Sequence, residues 1–117
     1  MTDKMRIYHN PRCSKSRTTL ALIEAAGIQP EIVLYLESPP TVAELKQVIA
    51  KLGIKPRDLL RKSEDLYKNK NLADKQLSDQ EIINIMCANP KLIERPIVVK
   101  GDRAVIGRPP ENVNMLI

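Results

Sequence analysis

The chain has 117 residues, 43% of them hydrophobic and 28% charged, which suits one soluble domain able to close an apolar core without disulfides or a structural metal. Three Tyr and no Phe or Trp leave that core to Leu, Ile, Val and Ala. The formal charge of +5 favours an anionic partner. Nucleic acid is a poor fit, because the chain has no zinc-finger spacing, RNA-binding aromatic signature or dense Lys/Arg run.

Met5–Tyr8 predicts a short first strand, stopped by the turn pair Asn10-Pro11. A helix over about Lys15–Ala26 follows, with Leu20, Ile23 and Ala26 along one side and Gly27 as its stop. Glu31–Tyr35 is a second β-rich run, broken by Ser38-Pro39-Pro40. Strand, helix and strand in so short a span make a βαβ unit, which joins parallel strands by a right-handed crossover. Thr41-Val-Ala-Glu44 fits a capping box, and Leu45, Val48, Ile49 and Leu52 continue at the helical period until Gly53. Pro56 suits the first turn of a short helix through Leu60 and Arg61. Ser63 is a further expected cap, Lys68–Gln76 an expected polar loop, and Ser78-Asp-Gln-Glu81 a second capping box before Ile82, Ile83 and Met86. Two apolar runs, Ile97–Val99 and Ala104–Ile106, flank Gly101-Asp102 as in a tight antiparallel hairpin. Pro110 can open a last short helix toward Leu116. The predicted order is βαβ, a helical block, then ββα, within a single domain over residues 1–117.

The stretch from His9 to Arg17 reads as a thiol active site. Cys13 falls at a strand-to-helix turn, where the exposed N–H groups of the first helical turn favour an anion. Helix N-termini and nearby cations lower a cysteine pKa from about 8.5 to roughly 3.5–7.5. Arg12, Lys15 and Arg17 supply such cations, and this run of polar neighbours predicts an accessible sulfur. Cys87, four residues after Ile83, belongs by spacing to a helical core face and is given no chemistry. Two cysteines make no disulfide framework, and His9, Cys13 and Cys87 are too few soft ligands for a closed metal site. With no secretory h-region and no apolar run able to span a bilayer, a cytoplasmic location and no membrane partner are expected.

The chain carries four motifs: His9-Asn-Pro-x-Cys13-x-x-Ser16-Arg17, Leu59-Leu60-Arg61-Lys62, Arg95-Pro96-Ile-Val-Val and Arg108-Pro109. Together, in colinear order over nearly the whole chain, they resemble the glutaredoxin-coupled arsenate reductases of the ArsC family. The resemblance implies a thioredoxin-like α/β fold with a helical insertion, in which the proline of Arg95-Pro96 is cis. It implies Cys13 as the nucleophile, Arg61, Arg95 and Arg108 as a catalytic and substrate-binding oxyanion triad, and His9, Ser16 and Arg17 as supports of the thiolate. Arsenate is a tetrahedral anion, and a guanidinium presents a flat fork of donors to two oxygens at once. It further implies glutathione as co-substrate, glutaredoxin as partner, and no bound cofactor. A dithiol enzyme would carry Cys at position 16, where this chain has Ser, and a phosphatase-like phosphate loop would carry Arg in place of Thr19. The alternative is a redox regulator related to the Spx proteins, or a glutathione-linked thiol adaptor without arsenate activity. Spx proteins share the fold but typically carry Cys-x-x-Cys.

Overall fold

The computed structural model describes residues 4–73 and 76–117, whose contacts gather into two compact units. The first unit joins the residues up to Ser38 with Arg95–Ile117. It contains β1 (Met5–Tyr8), α1 (Ser14–Ala25), β2 (Glu31–Val33), β3 (Ile97–Lys100) and β4 (Arg103–Ile106), and closes with a 3-10 helix over Pro110–Met115. The strands lie in the order β2-β1-β3-β4. β1 runs parallel to β2, with Arg6 opposite Glu31 and Tyr8 opposite Val33, as the crossover through α1 requires. It runs antiparallel to β3 on its other side, and β3 and β4 form the expected hairpin about Gly101, whose φ of 62° suits glycine. This is a thioredoxin-like arrangement. Met5 and Ile7 from β1, Ile23 from α1, Val98 from β3, and Val113 and Leu116 from the C-terminal segment make its core.

β2 ends two residues short of the expected Tyr35. The Leu34 carbonyl accepts the N–H groups of both Glu37 and Ser38 at 2.9 Å, which curls the chain into a turn. Tyr35 is turned inward by that bend, while Leu34 and Leu36 stay exposed. The pairing of β1 with β2 continues past Tyr8 through a bond from His9 N–H to the Val33 carbonyl, 2.8 Å.

The second unit, Pro39–Glu94, is the helical insertion. α2 (Val42–Leu52) starts on Thr41, whose hydroxyl accepts the Glu44 N–H at 3.1 Å, and stops at Gly53 in the left-handed region with φ 70°. The Pro56–Leu59 segment is a 3-10 helix and ends before Leu60 and Arg61. Leu60 is instead extended and bridges Ile93, an arrangement held by Arg61 N–H to the Leu92 carbonyl (2.7 Å) and Glu94 N–H to the Leu59 carbonyl (2.8 Å). α3 (Asp65–Asn69) has Glu64 at its N-cap position, one residue beyond the expected Ser63 and without a side-chain cap, and it runs into the start of the predicted loop. Of that loop, positions 74 and 75 lie outside the described residues. The Arg57 guanidinium spans its flanks, donating to the carbonyls of Leu72 (3.0 Å) and Leu77 (3.4 Å). α4 (Asp79–Ala88) carries the complete capping box, with Glu81 N–H on the Ser78 hydroxyl and Ser78 N–H on the Glu81 carboxylate. Ile82, Ile83 and Met86 fill its buried face, and a 3-10 helix at Pro90–Leu92 follows. Cys87 is half-buried rather than a core residue, because it flanks that stripe instead of lying within it. No described helix is long and apolar enough to cross a membrane.

Candidate active site

Cys13 is the N-cap of α1, held in extended geometry at φ −95° and ψ 123°. The turn before it is built by Asn10, whose side-chain oxygen accepts Arg12 N–H and whose carbonyl accepts Cys13 N–H, both at 3.0 Å. The Cys13 carbonyl then takes Arg17 N–H and begins the helix. Helical spacing explains why the sulfur is less accessible than its polar neighbours suggest. Cys13 and Ser16, three residues apart, face inward at 9% and 0% exposure, while Arg12, Ser14, Lys15 and Arg17 turn outward.

The hairpin supplies the cations on the inner side. With Ile97 opposite Ile106, the chain ends beyond the register bring Pro96 beside Gly107, whose N–H bonds to the Pro96 carbonyl at 2.9 Å. Arg95 and Arg108 therefore meet, and Arg108 Nε donates to the Arg95 carbonyl at 2.8 Å. Both Arg-Pro peptides are cis, the one at Pro96 as the resemblance implies and a second at Pro109. Arg108 Nη2 reaches to 3.9 Å from Cys13 Sγ, and Arg95 is buried at 8% exposure. Burial pushes the Cys13 thiol up, but the Ser16 N–H, the Arg95 charge, the Lys15 N–H and the Arg108 charge pull it down, and the net shift is below the usual thiol value. Exposed cations in the loop contribute less than the two hairpin arginines and the helix N–H groups.

His9 makes no hydrogen bond to the sulfur. Its Nδ1 lies 2.7 Å from Ser16 Oγ, which also accepts Asn10 N–H at 3.0 Å, so a three-membered network ties the end of β1 to the first turn of α1. Burial and the Arg17 charge hold the imidazole below its ordinary pKa against a smaller opposing pull from Glu24, and so favour the neutral ring. Arg17 Nη1 donates to the Pro11 carbonyl at 2.9 Å and stiffens the loop from outside. Arg61 lies in the second unit, where its Nη1 pairs with Glu64 at 3.2 Å.

A family model described as the ArsC family matches residues 8–116, a span that contains every one of these side chains. The chain belongs to the ArsC family. Among its relatives, the Escherichia coli K12 protein named "Uncharacterized protein YfgD" is 55% identical over 97% of this chain and 96% of its own length. An "Arsenate reductase" of Haemophilus influenzae is 53% identical over 92% of this chain and 93% of its own. A solved structure, "Arsenate reductase from Vibrio cholerae", superposes with a TM-score of 0.96 at 50% identity, covering the whole of both chains.

Two contributors to this ArsC site escape a reading by motif. Gly107 leaves no room for a side chain, since a methyl built there would stand 2.5 Å from Thr19 Oγ1 and 2.8 Å from Pro96 Cγ. Thr19 is itself fully buried, with its hydroxyl donated to the Lys15 carbonyl at 2.8 Å. Glycine directly before Arg108-Pro109 was the available signal, but without the hairpin register it could not be tied to α1.

Proposed function

We infer that the protein reduces arsenate to arsenite with Cys13 as nucleophile and glutathione and glutaredoxin as the source of electrons. The observation that supports this most is the buried Cys13 sulfur at a helix N-terminus, 3.9 Å from Arg108 and within the field of Arg95. That is a thiol whose pKa is shifted toward the thiolate, set beside guanidinium groups able to hold an oxyanion. The family relatives named arsenate reductases supply the substrate class.

The Cys13 thiolate attacks arsenic(V), an oxygen leaves as water after taking protons from the medium, and a sulfur–arsenic bond forms. Glutathione thiolate then attacks Cys13 Sγ. The sulfur–arsenic pair goes to arsenic, releasing arsenite as arsenic(III) and leaving a Cys13–glutathione disulfide. Two thiols have been oxidised and one arsenic reduced by two electrons. A glutaredoxin thiolate attacks the glutathione sulfur and frees Cys13. Arg95 and Arg108 steady the anion and the charge that builds on the leaving oxygen. Arg61 is the third oxyanion ligand in this reading, on the resemblance alone.

Arsenite formation with glutathione and glutaredoxin is the direct test. Arg95→Ala is expected to lower kcat/KM for arsenate by about 100-fold or more, as removal of a charged transition-state contact does. Lys46→Ala, an exposed change on α2, should leave it within twofold. Equal losses in two folded variants would remove the anion-binding role. Glutathionylation of Cys13 without any arsenite would favour the adaptor reading.

A further inference from the structure

A cleft of about 300 Å³ opens beside the active-site loop, lined by His9, Asn10, Pro11 and Arg12 on one side and by Leu34, Leu36 and Glu37 on the other. Its volume is at the small end of ligand pockets, roughly 300–1,000 Å³. The wall and the nucleophile are one piece of chain, because Asn10 of the wall receives the Cys13 N–H. The opposite wall exists because β2 stops at Val33 and the turn exposes Leu34 and Leu36.

Two groups of opposite charge line this cleft, and they do not pair with each other. Among the described residues the Arg12 guanidinium and the Glu37 carboxylate make no hydrogen bond or ion pair, and only their backbone N–H groups are engaged. Arg6 and Glu31, a few residues away on the neighbouring strands, do pair, at 2.9 Å. Apolar walls with one free cation and one free anion suit a small zwitterion, with a carboxylate for Arg12, an ammonium for Glu37 and aliphatic carbons against Pro11, Leu34 and Leu36. Arsenate offers neither an ammonium nor apolar surface.

We propose that this cleft is the seat of the reducing thiol, a zwitterionic thiol peptide of glutathione's chemistry, with Arg12 binding a carboxylate and Glu37 the ammonium. This rests on the thiol-dependent reading above. It seats the reductant against the loop that carries Cys13, in a cleft that neither Arg95 nor Arg108 lines, so that thiol and oxyanion occupy separate subsites.

The test uses oxidised glutathione as probe and needs no arsenate. Cys13 thiolate attacks one sulfur of the probe, the probe's disulfide breaks, and Cys13–glutathione forms with release of one glutathione thiolate, which intact mass reports. The wild-type rate should saturate, and Arg12→Ala and Glu37→Gln should each raise the half-saturating concentration at least fivefold. The neutral hydroxyethyl disulfide and iodoacetamide should react with all three proteins within twofold of one another. The Glu37 variant is decisive. Oxidised glutathione is a net anion, so loss of a carboxylate that merely repels it would tighten the interaction, whereas loss of an ammonium ligand weakens it. Unchanged or lower half-saturation in Glu37→Gln overturns the assignment, as does an equal loss with hydroxyethyl disulfide. Failure of the wild type to make arsenite would sink the reductase reading and leave this comparison standing on its own.

Discussion

At the scale of single residues, the arrangement separates the roles of side chains that look equivalent in sequence. Arg12, Lys15 and Arg17 crowd Cys13 along the chain, yet Arg108, 95 positions away, is the cation whose guanidinium lies 3.9 Å from the sulfur. Lys15 contributes through its backbone N–H. Cys13 and Cys87 consequently differ in chemistry. The Cys13 thiol is held below the usual value despite its burial, whereas burial and the Glu44 charge push the Cys87 thiol up. Iodoacetamide should therefore label Cys13 first at neutral pH, with a rate that climbs through a midpoint below the ordinary thiol range near 8.5. Labelling of Cys87 should rise only above that range. Coincident midpoints for the two cysteines, read by peptide mass against pH, would show that the arginines and the helix N-terminus do not activate Cys13.

At the scale of elements, the hairpin is the device that assembles the cationic side of the site. Its register sets Arg95 against Arg108, and the missing side chain at Gly107 lets that edge close on Thr19 of α1. Gly107→Ala forces a methyl into contacts of 2.5 and 2.8 Å, one of them with the Pro96 ring. The expected cost is about 1–3 kcal/mol in urea unfolding, the range for overpacking a filled site. Because Arg108 is the next residue, the midpoint of Cys13 alkylation should also move upward. A stability loss without that movement would show that Gly107 serves packing alone. The caps are simpler. Thr41 and Ser78 each hold a first-turn N–H at 3.1 Å, and Ser78→Ala should cost about 1 kcal/mol without altering Cys13 reactivity.

At the scale of the whole molecule, one thiol in the motif dictates the route of electrons. Ser16 stands where a dithiol enzyme has its second cysteine, and it is committed to His9 and Asn10. On the proposed function, the oxidised product of turnover is a mixed disulfide with a small external thiol. Cys13→Ser should abolish arsenite formation, Cys87→Ser should leave it largely intact, and thioredoxin without glutathione should not sustain it. Intact mass after treatment with arsenate and glutathione should show one glutathione, on Cys13. A Cys13–Cys87 disulfide as the main product would mean an internal cysteine relay instead.

By itself the sequence determined what depends on near neighbours. Strand and helix periods, the Thr41 and Ser78 caps, the stops at Gly27 and Gly53 and the hairpin about Gly101 are written in residues a few positions apart, and they stand where expected to within a residue or two. Placement of Cys13 at the opening of α1 was legible for the same reason. Tertiary structure alone decided where the local rules are outcompeted. Leu60 was drawn into a bridge with Ile93, ending its helix early. It also decided that Cys13 is buried, that His9 serves Ser16 rather than the sulfur, and that the effective cations come from the far hairpin. The Leu60–Ile93 bridge and the approach of Arg108 to Cys13 rest on contacts between residues distant in the chain, and hydrophobic burial and strand register set such contacts without leaving a periodic trace.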